Sequence, residues 1–347
     1  NMNDKQREEF YNNNPKYKDM SDEEYRNNLY SLWTNYCVSE SYEPGSTFKP
    51  VTVASALEEG VVKDGDTYVC KGFETVADYK LKCHVFSTIG SHGSLTVEQA
   101  LMNSCNPYMI HLALEMGNSR FAYYQSLFGF GKTTGIDLPG ETTGIVYGDR
   151  MTTIDAACNS FGQTINVNMM QMMAAYCSII NGGMLYQPHI VKRIESANGE
   201  VVKEYKANLV RQTITASTSK LLRRYLKNTV EEGTAKKAGV TGYSVAGKTG
   251  TAQKGDRKDN KWIISFIGHA PAENPKFAIY VVIDEPYGTT GTSGSSADVL
   301  TLTHNILEKL LPYMNVYKDA SDEYEDTSSS PDELTVDGIP AGTASSN

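Results

Sequence analysis

The sequence lacks the features that mark membrane-spanning, nucleic-acid-binding or disulfide-rich proteins. No stretch approaches the 18 consecutive apolar residues of a transmembrane helix, so no span is predicted. The 32 Lys and Arg residues are outnumbered by 41 Asp and Glu residues, which gives a net charge of -9. This balance argues against nucleic acid as the main partner, because phosphate binding needs clustered basic side chains. Six cysteines in 347 residues are too few for a disulfide-built fold.

The composition is that of a folded protein, with 40% hydrophobic and 21% charged residues. Helical patterns come first and last in the chain, and antiparallel strands cluster between them. This order favours an α+β layer fold. We divide the chain into an entry segment (1–40), a main domain (41–316) and an acidic, Ser-rich tail (317–347) that should be disordered.

Apolar spacing and turn residues predict the main elements of this fold. The predicted elements are a helix over 46–59 ended by Gly60, a hairpin-like excursion over 66–90, a helix or helix pair over 95–116, a buried helix over 169–180, and strands over 248–253, 262–270 and 277–283.

A serine and a lysine three residues apart stand at the start of the first helix. Ser46 and Lys49 would share a face of that helix, and its N-terminus favours developing negative charge. An amine beside a serine can take its proton if burial lowers the amine pKa. The pattern suits a serine nucleophile with a lysine base. It recurs at Ser217 and Lys220, where a helix-capping serine and a solvated lysine explain it better.

A second polar motif, Ser104-Cys105-Asn106, is followed by Pro107. Because a residue before proline avoids helical geometry, we expect the helix to be interrupted at Asn106. Such a break could expose Ser104 and Asn106 to one side, where a hydroxyl can pass a proton and an amide can bind a peptide. Cys105 should point into the core without a chemical role.

A third motif, Lys248-Thr249-Gly250-Thr251, lies in an alternating, strand-like segment. Alternation places Thr249 and Thr251 on one face of the strand. Gly250 would let the backbone of a ligand approach closely, and an edge strand here could pair with an extended peptide. A surface lysine in a hairpin is the alternative explanation of this motif alone.

Together these three motifs resemble those of the penicillin-binding protein and serine β-lactamase superfamily. Further segments are similar to the class B penicillin-binding proteins, and within them to the stage V sporulation protein D and division transpeptidase group. The resemblance covers roughly residues 27 to 315. The segments are YEPGSTFKP (42–50), GIDLPGE (135–141), FGQ (161–163), NGGMLYQP (181–188) and ISFIGHAP (264–271).

The resemblance implies D,D-transpeptidation of peptidoglycan stem peptides within a transpeptidase fold, an antiparallel sheet flanked by helices with an all-helical subdomain. Ser46 would attack the D-Ala–D-Ala carbonyl, and Lys49 would be its base. Ser104 would relay a proton to the leaving group, and Asn106 would bind the acyl side-chain amide. β-Lactams should acylate the same serine, and no cofactor is required.

The third motif would bind the other end of the substrate. By the same resemblance Lys248 would attract the substrate carboxylate, and Thr249 and Thr251 would hydrogen-bond it beside Gly250. The backbone N–H groups of Ser46 and Thr251 would form the oxyanion hole.

Members of this class usually carry a membrane anchor and a pedestal domain ahead of the transpeptidase, and neither is recognisable here. We therefore expect an anchor in the native protein, a site on the outer face of the cytoplasmic membrane, and a glycosyltransferase or divisome-type membrane partner. The alternatives are a β-lactamase or β-lactam sensor, a D,D-carboxypeptidase, or a non-catalytic cell-wall scaffold. The last would have lost its serine or lysine, and both are present.

A group of cysteines and histidines lies between the first two motifs. Cys70 and Cys83 flank the predicted hairpin, with His84 and His92 close behind and Asp78 as a fifth candidate ligand. Two thiolates with one or two imidazoles suit zinc. A disulfide between the two cysteines and a pair of unlinked thiols are the alternatives. A zinc ion here would be structural and would brace the loop before Ser104.

Overall fold

The structure, a computed structural model, describes residues 3–13, 15, 20–255, 261–286 and 295–319. Within these ranges the α-helices are α1 Asp4–Asn13, α2 Asp22–Ser31, α3 Tyr36–Ser39, α4 Lys49–Glu59, α5 Val97–Met102, α6 Asn106–Met116, α7 Asn118–Leu127, α8 Thr153–Asn159, α9 Met169–Ile180, α10 Ala216–Glu231 and α11 Ala297–Tyr313. Short 3-10 turns form at Gly45–Phe48, Gly148–Arg150 and Lys236–Ala238.

The strands of the described ranges are β1 Thr67–Cys70, β2 Phe73–Val76, β3 Tyr79–Lys82, β4 Gly93–Thr96, β5 Met184–Gln187, β6 Arg193–Glu195, β7 Val201–Glu204, β8 Asn208–Gln212, β9 Ala246–Lys254, β10 Lys261–Ala270 and β11 Phe277–Asp284. Every described strand pair is antiparallel. The mixture of helices and antiparallel sheets confirms the predicted α+β class.

The central sheet has the order β11-β10-β9, so β9 lies at its edge. Successive side chains of β10 point to opposite faces of the sheet. Ile267 joins the large core formed with α4, α9 and α10. Ile264 and Phe266 pack instead against the apolar side of α11. The sheet is thus covered on both faces, and β9, the strand that carries the third polar motif, is one of the two edge strands among the described residues.

The helix predicted over 46–59 begins as the 3-10 turn and continues as α4 to Glu59. Pro50 lies in the first turn of α4. Proline lacks an amide hydrogen, but in the first turn of a helix that hydrogen would have no acceptor within the helix. Gly60 ends the helix in the left-handed conformation, with φ of 77°, as predicted.

The segment 95–116 is a helix pair, α5 and α6. A break between the helices was predicted at Asn106, and this position is wrong. The break spans Asn103 to Cys105, and Asn106 is the first residue of α6. The physical reason is that Pro107 follows the first helical residue, a position at which proline starts helices rather than ending them.

The excursion over 66–90 contains the predicted hairpin as β2–β3, while β1 pairs with the distant β4. The division into entry segment, main domain and tail stays a prediction. Residues 1–40 hold the short helices α1 to α3, and most of the tail lies outside the described residues. In the described part of the chain, no helix has the length and apolar character needed to cross a membrane.

Candidate active site

The turn that carries Ser46 is held against the edge strand by two glycines. A Cβ on Gly45 would lie 2.5 Å from the Thr251 carbonyl oxygen, and a Cβ on Gly250 would lie 2.8 Å from the Thr47 side chain. Gly45 also has φ of 56°, a backbone conformation that residues other than glycine rarely adopt. The missing side chains let the 3-10 turn and β9 touch, and Ser46 stays accessible at the junction.

Gly250 has a use within the protein besides the predicted one. That it lets the backbone of a ligand approach the strand stays a prediction. The space that a Cβ on Gly250 would occupy is filled by the protein itself, namely by Thr47, the Pro44 carbonyl and the Ser265 hydroxyl. The absence of a side chain at Gly250 therefore allows the turn that carries Ser46 to approach β9.

Lys49 is completely buried, and its ammonium group makes three hydrogen bonds. Nζ donates to the Ser104 carbonyl at 2.7 Å, to the Ser104 hydroxyl at 3.0 Å and to Asn106 Oδ1 at 2.6 Å. Burial lowers the pKa of Lys49 to about 8, because removal from water disfavours the charged form. The amine can therefore lose its proton near neutral pH, as a general base must.

The first two motifs are thus joined at one buried amine. Ser104 adopts a left-handed backbone conformation with φ of 54°, which is costly for a residue with a side chain. This conformation turns both its carbonyl and its hydroxyl toward Lys49. Both Ser46 and Lys49 belong to the described residues, and no hydrogen bond joins them, although the 3-10 turn of Ser46 continues directly into α4 at Lys49.

The third motif brings a second buried amine to the same place. Lys248 is fully buried, and its Nζ donates to the Thr249 carbonyl at 3.2 Å. Burial is the main cause that holds the pKa of Lys248 well below its usual value, and repulsion from the Lys49 charge is the second cause. Thr249 and Thr251 both line the cleft, as their alternation along β9 predicts.

These groups surround a cleft of about 570 Å³, a size suited to a small molecule or a few residues of a peptide. No carboxylate lines it in the described ranges. Its lining residues are Ser46, Lys80, Leu81, Lys82, His84, Ser104, Asn106, Phe161, Gln163, Thr234, Thr249, Thr251, Trp262 and Ser296.

Some of these lining residues were not singled out as functional from the sequence. Phe161 and Gln163 were named only as part of a segment that resembles the family. Lys80, Lys82 and Trp262 lay within predicted secondary structure but were given no function. The alternation of the two lysines around Leu81 was a usable signal for a strand with one basic face. Nothing local indicated that this face would border the cleft.

The cysteine and histidine group forms a cluster, with one change from the predicted set. The ligand atoms of Cys70, Cys83, His92 and Cys105 all lie within 4.8 Å of one another. His84 is not a member, because its Nε2 pairs with the Asn103 carbonyl oxygen at 2.9 Å.

Cys105 takes the place expected for His84. It is buried as predicted, and its sulfur lies within the cluster. That Cys105 has no chemical role stays a prediction. Asp78 is exposed in the β2–β3 turn and is also outside the cluster. All six cysteines are free thiols, so the disulfide between Cys70 and Cys83 is not formed.

The sulfur atoms in the cluster interact with one another. The hydrogen bond with Cys105 lowers the pKa of Cys83 to about 4, and the same contact raises the pKa of Cys105. Cys83 Sγ also lies 3.6 Å from Nδ1 of His92. One thiol is thereby readied as a thiolate, the form in which cysteine binds metals.

Comparisons with known proteins agree with this geometry. The family model described as "Penicillin binding protein transpeptidase domain" matches residues 2–308. Stage V sporulation protein D of Bacillus subtilis is 41% identical over 288 residues, which make up 81% of this chain and 44% of that protein. Peptidoglycan D,D-transpeptidase FtsI of Escherichia coli is 32% identical over 292 residues, 82% of this chain and 46% of that protein.

Solved structures give the same result. Penicillin-binding protein 3 of Mycobacterium tuberculosis complexed with ampicillin has a TM-score of 0.74 and 29% identity, over 82% of this chain and 65% of that one. The same protein has also been solved with aztreonam. The chain spans less than half the length of the curated relatives named above.

Proposed function

The chain belongs to the penicillin-binding protein transpeptidase family, and on that premise we propose that it is a serine D,D-transpeptidase that cross-links peptidoglycan stem peptides. One observation carries the proposal: Lys49, one turn from Ser46, is fully buried and hydrogen-bonded to Ser104 and Asn106. A non-catalytic scaffold would have no use for this costly burial of an amine.

The hydrogen bonds of Lys49 suggest how it acts once deprotonated. A neutral amine keeps two N–H donors and gains one lone pair. The Ser104 carbonyl and Asn106 Oδ1 can only accept, so they hold the two donors. The lone pair is then left for a hydroxyl hydrogen, from Ser46 directly or through Ser104.

The reaction then proceeds in two acyl transfers. The Ser46 oxygen attacks the carbonyl carbon of the D-Ala–D-Ala bond, and its proton passes to Lys49. Lys49 passes this proton through the Ser104 hydroxyl to the departing nitrogen as the C–N bond breaks and D-alanine leaves. The amine of a second stem peptide next attacks the ester, and Ser46 recovers its proton.

The third motif binds the leaving end of the donor peptide in this scheme. Lys248 is buried behind the cleft lining, where a bound carboxylate would favour its charged form, and Thr249 and Thr251 offer hydroxyl donors to the terminal carboxylate. We assign the oxyanion hole to the backbone N–H groups of Ser46 and Thr251. The contact between Gly45 and Thr251 supports this assignment, because it brings the two backbones together.

We further propose that β-lactams acylate Ser46, and that the site works outside the cytoplasmic membrane, where peptidoglycan is assembled. The names of the similar proteins include both sporulation and division transpeptidases. We accordingly place the protein in septal or spore wall synthesis, held by a membrane anchor and paired with a glycosyltransferase.

The Cys70, Cys83, Cys105 and His92 cluster suits a structural zinc ion. Three sulfurs and one imidazole nitrogen are a common tetrahedral zinc set, and mutual distances within 4.8 Å allow one ion to reach all four. Such an ion would tie the end of β1 and the end of the β2–β3 hairpin to the turn beside Ser104. It would fix the position of that turn and take no part in the chemistry.

Elemental analysis tests the zinc proposal directly. Protein purified without chelator should contain one zinc per chain, and removal of the metal should lower the melting temperature. Metal-free protein with an unchanged melting temperature would disprove it.

The transpeptidase proposal is tested by supplying a D-Ala–D-Ala peptide together with a second peptide that carries a free amine. We expect release of D-alanine and formation of the amide-linked product in equal amounts, and neither with Ser46→Ala. Release of D-alanine with water as the only acceptor would identify a carboxypeptidase. Rapid turnover of penicillin would identify a β-lactamase.

A further inference from the structure

The β2–β3 hairpin forms one wall of the catalytic cleft. Lys80, Leu81 and Lys82 of β3 border the same cavity as Ser46. The hairpin is joined to the second catalytic motif, because Asn106 Nδ2 donates to the Lys82 carbonyl at 3.3 Å. This hydrogen bond links the hairpin to the same Asn106 side chain that accepts a hydrogen bond from Lys49.

The two faces of this hairpin differ in chemistry. Leu81 and Val76 pack against an apolar cluster that includes Ile110 of α6, which anchors one face. Lys80 and Lys82 are two residues apart on β3 and so share the other face. Both lysines are exposed.

Aromatic rings hold the two lysines in place without neutralising them. Lys80 Nζ lies 3.7 Å from the centre of the Phe73 ring, and Lys82 Nζ lies 4.9 Å from the centre of the Phe86 ring. Neither lysine forms an ion pair with any carboxylate in the described part of the chain. Glu74, the acidic residue of β2, accepts a hydrogen bond from the Tyr68 hydroxyl instead.

The lysine and arginine side chains of the described residues that do form ion pairs all lie at other places in the fold. They are Arg120, Arg193, Arg224, Lys227, Lys254 and Lys261. The cleft beside Lys80 and Lys82 contains no described carboxylate. This wall is therefore a positive surface that faces the substrate and is complementary to an anion.

We propose that Lys80 and Lys82 recognise a second carboxylate of the donor peptide, upstream of the bond that Ser46 attacks. The inference rests on the proposed function, which already assigns the terminal carboxylate to β9 and Lys248. The hairpin and β9 belong to separate sheets, and both line the cleft, so the two carboxylates have separate sites. The substrate class is an acyl donor with an internal free acid, as opposed to the same peptide with an internal amide.

Binding to Ser46→Ala protein tests this inference without requiring any chemistry. Two fluorescent donor peptides ending in D-Ala–D-Ala are compared, identical except for one internal carboxylate or carboxamide. We expect the acid form to bind about 4- to 25-fold more tightly, from roughly 2- to 5-fold for each of the two exposed charge pairs. The difference should shrink as salt is raised, because screening weakens exposed charges.

Matched variants separate the two lysines from the general charge of the protein. Lys80→Gln with Lys82→Gln should abolish the preference for the acid, and the corresponding Arg variants should retain it. Lys71→Gln, at an exposed position between β1 and β2 outside the cleft lining, is the control and should change nothing.

The outcomes are distinct. Equal binding of both peptides by the parent protein, or a preference that survives the double Gln variant, would overturn the inference. Failure of Ser46 in the unmodified protein to react with penicillin would instead overturn the proposed function, and the binding preference would still report on the lysines.

Discussion

The pKa of Lys49 gives a quantitative expectation for the rate of Ser46 acylation as pH changes. Burial lowers that pKa from 10.5 to about 8, and only the neutral amine can accept the serine proton. About 1% of the amine is neutral at pH 6, about 10% at pH 7 and about half at pH 8. The second-order rate of acylation should therefore rise nearly tenfold from pH 6 to 7, about fivefold from pH 7 to 8, and then level off.

The assay is stopped-flow acylation by a fluorescent penicillin between pH 5.5 and 9.5. His84 also lines the cleft, and its pKa lies below the ordinary value because of burial, so His84→Gln serves as the control. The profile of this variant should keep its midpoint near 8. A rate that does not change from pH 6 to 9, or one that still rises about tenfold per pH unit at pH 9.5, as a lysine with its ordinary pKa would give, would refute Lys49 as the base.

Three further changes test other parts of the site. Gly250→Ala places a Cβ 2.4 Å from a neighbouring side-chain oxygen. We expect the free energy of unfolding, measured with denaturant, to fall by about 1–3 kcal/mol and acylation to slow at least about tenfold. Gly239→Ala, whose Cβ would have its nearest contact at 3.3 Å, is the control and should lower the free energy of unfolding by less. His92→Ala should release zinc and His84→Ala should keep it, as metal analysis will show; retention in the first would exclude the cluster. Asn106→Ala removes a 2.6 Å partner of the buried amine, so acylation should slow by about 10- to 100-fold with little loss of fold by circular dichroism.

The local parts of the fold could be predicted from the sequence. The helix after Ser46, its end at Gly60 and the alternation of Thr249 with Thr251 depend on neighbours within a few residues. Short-range apolar spacing and turn chemistry encode such features directly. The order of helices and strands gave the α+β class for the same reason.

The parts that could not be predicted depend on contacts between distant segments. The full burial of Lys49 arises only when the turn before α6 covers it. Cys105 joins the cluster of Cys70, Cys83 and His92 through contacts between β1, the hairpin and the turn before α6, and no spacing rule connects these segments. The protein atoms that fill the space beside Gly250 come from Pro44, Thr47 and Ser265, which are distant in sequence, so the sequence alone could not reveal them.

The central claim is that a buried amine makes one serine, Ser46, the nucleophile of this protein. Mass spectrometry of the protein after treatment with benzylpenicillin tests it most directly. We expect a stoichiometric increase equal to the mass of the drug, located by proteolysis on the peptide that contains Ser46, and no increase for Ser46→Ala. An adduct on any other residue, or none on the unmodified protein, would contradict the claim.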